Sequence, residues 1–416
     1  MTVSAPLFLP CAAGVEALLV DEVRALSNTA VEGRRGGVAL AGDATLAMRL
    51  NLESRLAQRV LWRVAQAPYR DESDLYALAR VLPWHEWITP QQTLRVDTTA
   101  RGAPLKSLNF ATLRIKDAVC DAMRERAGAR PDVNTANPDL ALVLHLDGDL
   151  AQLYVDTSGD PLFKRGWRDA NAGDAPLKET LAAALLAAAG WRGRAEDGAL
   201  FDPCCGSGTI AIEAAHIACD RAPGLQRRFA FERLAPFRDH ANAWRGLQQA
   251  ARARVHASPV PIFAGDVSFR MVDFAQRHAA RAAVDGAIEF KAADMLQRLP
   301  PAERGTMVLN PPYGERLAPK GRGSVPAREQ GRDSVPAREH VQGAPDTASF
   351  FAALAAHWKR HYAGWTAWLL SPDAKLPTSM RLKESRRVPL WNGPIECRLF
   401  RFDIVAGAMR ERPPQS

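Results

Sequence analysis

Short apolar runs that end in polar residues or glycine recur along the second half of the chain, with amphipathic stretches between them. Such runs are typical of buried strands in a parallel sheet. The four clearest runs lie at residues 199–202, 261–266, 288–294 and 306–309. Because apolar residues at helical spacing follow the first run, over 210–219, the pattern predicts an α/β fold in which strands alternate with helices.

The same patterning predicts elements in the rest of the chain. They are helices over 14–26, 105–126 and 350–362, strands at 37–40, 140–146 and 365–371, and a closing antiparallel pair within 385–405. From these elements we divide the chain into a small N-terminal α/β piece, 1–50, a second α/β region, 51–155, and a larger domain, 156–416.

A glycine turn joins the strand predicted at 199–202 to the helix predicted at 210–219. Strand, glycine turn and helix form the first unit of nucleotide-binding α/β folds, in which glycine lets a ligand approach the backbone. The turn lacks the third glycine of the dinucleotide fingerprint, which favours a ligand without phosphates, such as S-adenosylmethionine, over a pyrophosphate. The residues that we assign to the cofactor here are Asp202, Pro203, Cys205, Gly206, Gly208 and Thr209.

Two further predicted strands end in a carboxylate. Asp266 stands where the ribose hydroxyls of a nucleotide are usually bound after the second strand of such a fold. Asp294 is placed to accept a hydrogen bond from an adenine amino group. An aspartate at the end of a strand also often caps the following helix, so both interpretations stay open.

The tetrapeptide Asn310-Pro311-Pro312-Tyr313 follows the last of the four strands. Two prolines fix the backbone and leave carbonyl oxygens without neighbouring N–H groups, the asparagine adds an acceptor, and the tyrosine adds a ring face. This set suits a planar group with an exocyclic NH2, and we assign all four residues to catalysis and Asn310 also to the cofactor site. Methylation of a DNA adenine at N6 or of a glutamine amide needs the same recognition.

Composition and charge agree with a polyanionic partner. The 416 residues carry a net charge of +8, and the segment 220–254 has eight arginines against three acidic residues. Residues 1–155 are near neutral, with 17 basic against 18 acidic side chains, so the excess lies in the second half. The arginine-rich segment is either a solvated helix face or a nucleic-acid contact.

Cysteine usage and hydropathy exclude several other classes. The six cysteines form no C-x-x-C pair and no cluster with histidine, so we expect neither a disulfide scaffold nor a metal site. The chain has no apolar run long enough to span a membrane and no basic segment typical of a signal peptide. We therefore expect a cytoplasmic protein.

With these motifs the chain resembles the THUMP-containing class I RNA methyltransferases. The resemblance rests on the two motifs in residues 201–210 and 309–317 and on the shorter segments 8–19, 159–168, 177–183, 220–225 and 392–397. It implies a Rossmann-like class I methyltransferase domain with a seven-stranded, mostly parallel sheet. That domain would be preceded by a ferredoxin-like piece over 1–50 and an α/β THUMP region over 51–155. The resemblance implies that this N-terminal half binds RNA. Larger members of the family carry a second methyltransferase domain after this one.

The resemblance also implies an activity. Within the family the chain is most similar to enzymes that use S-adenosylmethionine, without a metal, to methylate the exocyclic N2 amine of a guanine in 23S rRNA. The implied partner is 23S rRNA or a large-subunit assembly intermediate, with no membrane and no obligate protein partner. Methylation of a tRNA guanine, and RNA binding without turnover in ribosome assembly, remain alternatives.

A tandem decamer interrupts the resemblance. Residues 321–330 and 331–340 agree at eight positions of ten, within an insert that spans 319–345. So short a repeat, rich in proline and arginine, cannot bury a core, and we predict that the insert is disordered. Neutral duplication in a loop is one explanation of the repeat, and a contact with RNA is the other.

Overall fold

The computed structural model describes residues 4–168, 177–311 and 347–405, which build two β-sheets. Strands of the first sheet are β1 (Ala5–Pro10), β2 (Val31–Arg34), β3 (Gly37–Gly42), β4 (Leu61–Pro68), β5 (Thr93–Arg101), β6 (Asp132–Val133), β7 (Leu140–Asp147) and β8 (Leu150–Asp156). Its helices are α1 (Glu16–Leu26), α2 (Ala44–Glu53), α3 (Glu72–Arg80) and α4 (Leu108–Ala127). The repeat insert lies outside the described residues.

One continuous sheet crosses the boundary predicted at residue 50. Its strand order is β2-β3-β1-β4-β8-β7-β5-β6, and β4 pairs with β1 on one side and with β8 on the other. Pairing is antiparallel except for β5, which runs parallel to both β6 and β7. The two N-terminal regions therefore share a sheet, while the domain boundaries themselves stay predictions.

The second sheet has seven strands in the order β11-β10-β9-β12-β13-β15-β14. They are β9 (Ala199–Asp202), β10 (Ile262–Asp266), β11 (Ile288–Ala292), β12 (Gly305–Leu309), β13 (Thr366–Ser371), β14 (Arg386–Asn392) and β15 (Ile395–Asp403). The first five strands in that order are parallel, and β15 pairs antiparallel with both β13 and β14, which confirms the predicted seven-stranded, mostly parallel sheet. The helices are α5 (Glu179–Ala189), α6 (Thr209–Ala218), α7 (Ala241–Ala253), α8 (Phe269–Arg281), α9 (Thr347–His361) and α10 (Leu376–Met380).

Helices cover both faces of this sheet, so successive residues of its strands enter different cores. In β9, Leu200 packs into the core that includes α5, α6 and α8, whereas Phe201 packs into the core that includes α9 and α10. Both side chains are fully buried. Burial on two faces explains why the strands appear in the sequence as continuous apolar runs rather than as alternating patterns. No helix of the described part is long and apolar enough to cross a membrane.

Buried arginines join the two sheet domains. The Arg165 guanidinium forms a bidentate ion pair with Glu213 of α6, with N–O distances of 3.2 and 3.3 Å. It also donates a hydrogen bond to the Arg55 carbonyl at 2.7 Å. Arg55, from the N-terminal part, donates in turn to the carbonyls of His216 and Arg221 at 3.2 and 2.9 Å. The helix that follows the glycine turn is thereby anchored to the N-terminal sheet domain.

Some arginines of the segment 220–254 also form hydrogen bonds and ion pairs at this interface. Arg227 donates to four carbonyl oxygens of residues 158–164, and Arg233 donates to the carbonyl of Pro138. Arg254 pairs with Glu53 at 2.8 Å. These contacts are intramolecular. The nucleic-acid contact considered for this segment is therefore left to its other exposed arginines, which are Arg228, Arg238, Arg245 and Arg252.

The buried ion pair generates a first prediction. Glu213→Gln leaves the guanidinium of Arg165 buried without its counter-charge, and we expect the free energy of unfolding to fall by about 3–5 kcal/mol. Chemical denaturation followed by circular dichroism measures the change. Glu196→Gln, which removes an exposed carboxylate from an ion pair with Arg194, is the matched control and should leave stability nearly unchanged.

A double variant separates charge from packing. Arg165→Met combined with Glu213→Leu removes both charges, so it should recover much of the stability lost in Glu213→Gln. If the double variant were less stable than the single one, the uncompensated charge would not be the cause of the loss.

Candidate cofactor and amine site

The two sequence motifs meet at one edge of the seven-stranded sheet. β9 lies between β10 and β12 and is parallel to both, so all three strands end at the same edge. The strand order reverses at β9 and β12, because the chain proceeds from β9 outward to β10 and from β12 outward to β13. Ligands of open α/β sheets bind in the crevice at such a switch point, beyond the carboxyl ends of the strands.

The turn after β9 requires glycine at two positions. Gly206 and Gly208 have φ values of +52° and +86°, in the left-handed region that other residues rarely adopt. A Cβ on Gly208 would also lie 3.0 Å from the Cβ of Ala275 in α8. The turn is held to the neighbouring strand by the Cys205 N–H, which donates to the Gly265 carbonyl at 2.7 Å. The chain therefore passes close to β10 and starts α6 at Thr209 with its backbone facing the crevice.

Asp266 ties the second strand to this turn. Its carboxylate accepts the N–H of Gly206 at 3.0 Å and the N–H of Ser268 at 2.9 Å. The capping side chain of α8 is Ser268, which accepts from Met271, so Asp266 is not the helix cap. This geometry leaves the carboxylate at the glycine turn, in agreement with the ribose-binding role, which stays a prediction.

Asp294 lies farther along the same edge, after β11. Its carboxylate accepts the N–H of Leu296 at 2.9 Å. The residue lines a cavity of about 530 Å³ together with Lys291, Gln297 and Arg298. The contact with an adenine amino group that the sequence predicts stays a prediction.

Asp202, at the end of β9, is a buried carboxylate. It is 1% exposed and accepts the Cys204 N–H at 3.3 Å. Burial, together with the nearby Asp266 carboxylate, raises the pKa of Asp202 well above its usual range. A carboxylate in this position favours a cationic ligand, because a positive charge would offset the cost of ionising it.

The neighbouring cysteines have no nucleophilic character. Burial raises the pKa of the Cys204 and Cys205 thiols well above the usual value, and the carboxylates of Asp202 and Asp266 raise it further. Thiols in such an environment stay protonated and inert. Together with Pro203, whose side chain is buried, they fill the space beneath the turn, as expected for small residues in close packing.

Asn310 presents an unsatisfied acceptor at the end of β12. Its Oδ1 is buried and has no hydrogen-bond partner among the described residues, while Pro311 beside it is buried as well. Buried polar atoms without a partner are rare in folded proteins, and one at a crevice indicates a missing donor. An exocyclic amine would be such a donor. Pro312 and Tyr313 lie outside the described residues, so their predicted roles stay predictions.

Arg168 holds the glycine turn from the other side, a role that the sequence interpretation missed. Its guanidinium donates to the hydroxyls of Thr209 and Ser207 at 2.9 and 3.2 Å, and it pairs with Glu179 at 2.8 Å. The carbonyl of Ser207 is 3.1 Å from Nδ1 of His278 in α8. The sequence shows only the residues that surround Arg168 along the chain. Its partners Ser207 and Thr209 are 39 and 41 residues away, so a local sequence pattern cannot identify these contacts.

Asp202 generates a second prediction. The folded chain holds the proton of this carboxyl more tightly than the unfolded chain does, so stability falls as pH rises above the usual aspartate pKa. Asp202→Asn has no proton to lose and keeps an oxygen for the Cys204 N–H. We therefore expect the ligand-free variant to melt roughly a few degrees higher than wild type near neutral pH.

Calorimetric melting curves across a pH series provide the measurement. The difference between variant and wild type should shrink as pH falls toward the usual aspartate pKa. Asp285→Asn, at an exposed position, is the control. A constant difference at every pH would show that the ionisation of Asp202 is not what costs stability.

Comparison with known families divides the chain into three matched ranges. Residues 6–61 match the RlmL ferredoxin-like domain, residues 69–156 the THUMP domain, and residues 165–325 the RMKL-like methyltransferase domain. The last range contains the glycine turn, both strand-end carboxylates and Asn310.

Curated relatives match along almost the whole chain. A ribosomal RNA large subunit methyltransferase K/L from Syntrophotalea carbinolica is 39% identical over 401 residues, which cover 94% of this chain and 52% of the relative. The protein of the same name from Psychromonas ingrahamii is 33% identical over 404 residues, covering 95% of this chain and 50% of the relative. The chain thus spans about half the length of the curated relatives it matches.

Solved structures confirm the fold. SMU.472, described as a methyltransferase and complexed with SAH, superposes with a TM-score of 0.81 at 24% identity, covering 99% of this chain and 100% of that one. A predicted N6-adenine-specific DNA methylase from Listeria monocytogenes gives 0.80 at 26% identity, covering 96% of each chain. TrmN from Thermus thermophilus gives 0.64 at 20% identity, covering 97% of this chain and 100% of that one. The chain therefore has the Rossmann-like α/β methyltransferase fold with a THUMP region, and it is similar along nearly its whole length to ribosomal RNA large subunit methyltransferases K/L.

Proposed function

We propose that this protein is an rRNA methyltransferase of the K/L type that uses S-adenosylmethionine to methylate the exocyclic N2 amine of a guanine in 23S rRNA, as RlmL does. The observation that carries the proposal is the buried Asn310 Oδ1, which has no hydrogen-bond partner among the described residues and lies near a glycine turn at the switch point of the sheet. The names of the K/L relatives and the match to a THUMP domain support RNA as the substrate.

The crevice fits the methyl donor. S-adenosylmethionine carries a sulfonium and an ammonium group, and the buried carboxylate of Asp202 offers a counter-charge for a cation. The backbone at Gly206 and Gly208 allows close approach, Asp266 would hold the ribose hydroxyls, and Asp294 would accept from the adenine amine. SMU.472, which shares the fold, was solved with the demethylated product SAH. When bound, the cofactor supplies an electrophilic methyl group.

The residues of this chain act on the amine that receives the methyl group. The lone pair of guanine N2 is delocalised into the ring, which makes the amine a poor nucleophile. Asn310 Oδ1 and the Pro311 carbonyl would accept hydrogen bonds from its two N–H groups and so favour lone-pair density on nitrogen. The amine becomes acidic only as the new bond forms, so no strong general base is required beforehand. Positioning then supplies most of the rate enhancement.

Access to the amine requires a base taken out of its helix. Unstacking costs on the order of a few kcal/mol, which the ring of Tyr313 would offset by stacking on the extruded base. Pro312 would keep that ring at a fixed distance from Asn310 through its restricted φ.

The alternatives share this amine chemistry and differ in substrate. The Listeria neighbour is named a DNA adenine methylase, and an adenine N6 amine would satisfy Asn310 equally well. The THUMP match favours RNA over DNA and over a glutamine side chain. Between rRNA and tRNA the names of the K/L relatives favour rRNA. Binding without turnover would give no reason to keep an unsatisfied acceptor at the crevice.

A third prediction tests the proposal directly. The protein is incubated with labelled S-adenosylmethionine and, in separate reactions, protein-free 23S rRNA, tRNA and duplex DNA, and products are digested to nucleosides. We expect N2-methylguanosine from 23S rRNA alone. Label in tRNA or in N6-methyladenine would retain the amine chemistry and overturn the ribosomal substrate.

The variant Asn310→Ala tests the role of this residue in the same assay. Because it removes the acceptor, turnover should fall by at least about a hundredfold. The SAH affinity measured by calorimetry should fall far less than turnover, because the carboxylates of the cofactor site remain although Asn310 is also assigned to that site. Asn242→Ala, at an exposed position of α7, is the matched control and should behave as wild type. An Asn310→Ala variant that stayed active would show that the amine is bound elsewhere.

A further inference from the structure

The two most exposed large apolar side chains of the described residues flank the cap of α8. Phe269 is 82% exposed and Val267 is 76% exposed, on either side of Ser268. Ser268 donates its N–H to Asp266, the carboxylate that holds Gly206. Single exposed apolar residues are common on protein surfaces, but a bare aromatic ring at the mouth of a ligand crevice indicates a contact surface.

The same helix carries an arginine and aromatic stripe. Arg270, Phe274 and Arg277 stand at positions i, i+4 and i+7, so they lie on one side of α8. The guanidinium of Arg270 is 5.6 Å from the centre of the Phe274 ring, and that of Arg277 is 4.6 Å from it. We call Phe269, Arg270, Phe274 and Arg277 the α8 stripe. The opposite side of the helix, with Val272, Ala275 and Ala279, is buried in the core.

The charge of the stripe is accessible. Arg270 is exposed and has no carboxylate partner among the described residues. Arg277 pairs with Asp273 at 2.7 Å, but both side chains are more than half exposed, and such a pair contributes little. The stripe therefore presents net positive charge beside an unstacked aromatic ring.

This combination fits single-stranded nucleic acid. Proteins bind single strands through cationic side chains that follow the phosphates and aromatic rings on which bases stack. Residues seven apart on a helix are separated by roughly 10 Å along its axis, so Arg270 and Arg277 can meet different phosphates of one strand. Of these side chains, Phe269 is nearest in the chain to Asp266, because it follows the Ser268 cap whose N–H binds that carboxylate.

We propose that the α8 stripe binds the single-stranded RNA adjacent to the nucleotide that is methylated, with Phe269 stacking on an unpaired base and Arg270 and Arg277 contacting phosphates. The proposal rests on the proposed function and adds to it a substrate contact on the methyltransferase domain, separate from the THUMP region. It also explains why a ring is left exposed beside a site whose carboxylates would repel phosphates.

The test measures RNA binding separately from catalysis. Fluorescence anisotropy with a short labelled single-stranded RNA gives the Kd, and calorimetry gives the Kd for SAH. For Phe269→Ala we expect the RNA Kd to rise about tenfold, with Phe269→Trp close to wild type, because stacking needs only a ring face. SAH affinity should be unchanged in both variants. Val405→Ala is the matched control, since that side chain is 74% exposed.

The arginines are tested through salt dependence. The double variant Arg270→Gln and Arg277→Gln should reduce the slope of log Kd against log salt by about 0.7 for each arginine removed. Arg24→Gln, an exposed helical arginine paired with Asp21, is the control and should keep the wild-type slope. The proposal would be overturned if the double arginine variant kept the wild-type salt slope and Phe269→Ala kept the wild-type RNA Kd.

Two outcomes separate this proposal from the function on which it rests. Weaker SAH binding by Phe269→Ala, with RNA affinity intact, would assign the ring to the cofactor and overturn the RNA contact alone. Wild-type protein that methylates 23S rRNA, with kinetics that Phe269→Ala leaves unchanged, would also overturn only the contact. Absence of methyl transfer by wild type to any RNA would instead overturn the proposed function.

Discussion

The parallel pairing of β9 with both β10 and β12 is the constraint on which the site depends. Because the three strands end at one edge, the glycine turn, Asp266 and Asn310 lie there together, although the turn and Asn310 are about a hundred residues apart along the chain. The pairing itself requires burial on both faces, which the two cores provide through alternating residues such as Leu200 and Phe201. The packing of the strands therefore determines where these candidate site residues lie.

Arginine contributes more to the architecture than its net charge suggests. Arg165 and Arg227 are directed inward, toward Glu213 and backbone carbonyls at the interface of the two sheet domains. Arg168 braces the glycine turn. Planar guanidinium groups suit this use because one side chain satisfies several acceptors at once. Positive charge counted from composition is therefore only partly available to a partner.

Carboxylates are concentrated at the strand ends, although Lys291 and Arg298 also line the cavity beside Asp294. Carboxylates of Asp202, Asp266 and Asp294 gather at the strand ends, where a cationic methyl donor would be favoured. The α8 stripe, directly outside, is basic and aromatic. Under the proposed function, such a site would hold the donor and keep phosphates outside it, so that only an extruded base would reach Asn310.

The sequence by itself determined the fold class and the strand ends that carry chemistry. Continuous apolar runs identified β9, β10, β11 and β12 to within about two residues, because burial on two faces leaves a strong local signal. The same reasoning left β1, β4, β5 and β8 unassigned, since pairing partners and not local pattern stabilise those strands. Helices α2, α3, α7 and α8 were also missed, although α8 is strongly amphipathic.

Only the tertiary structure decided which of the candidate residues lie together. It showed that Ser268, and not Asp266, caps α8, and that the Asn310 oxygen lacks a partner among the described residues. It also revealed that Arg168 contacts the glycine turn and that the Phe269 side chain is exposed at the start of α8. The physical reason is that burial and hydrogen bonding depend on neighbours distant in the chain, whereas periodicity and turn chemistry are properties of a few consecutive residues.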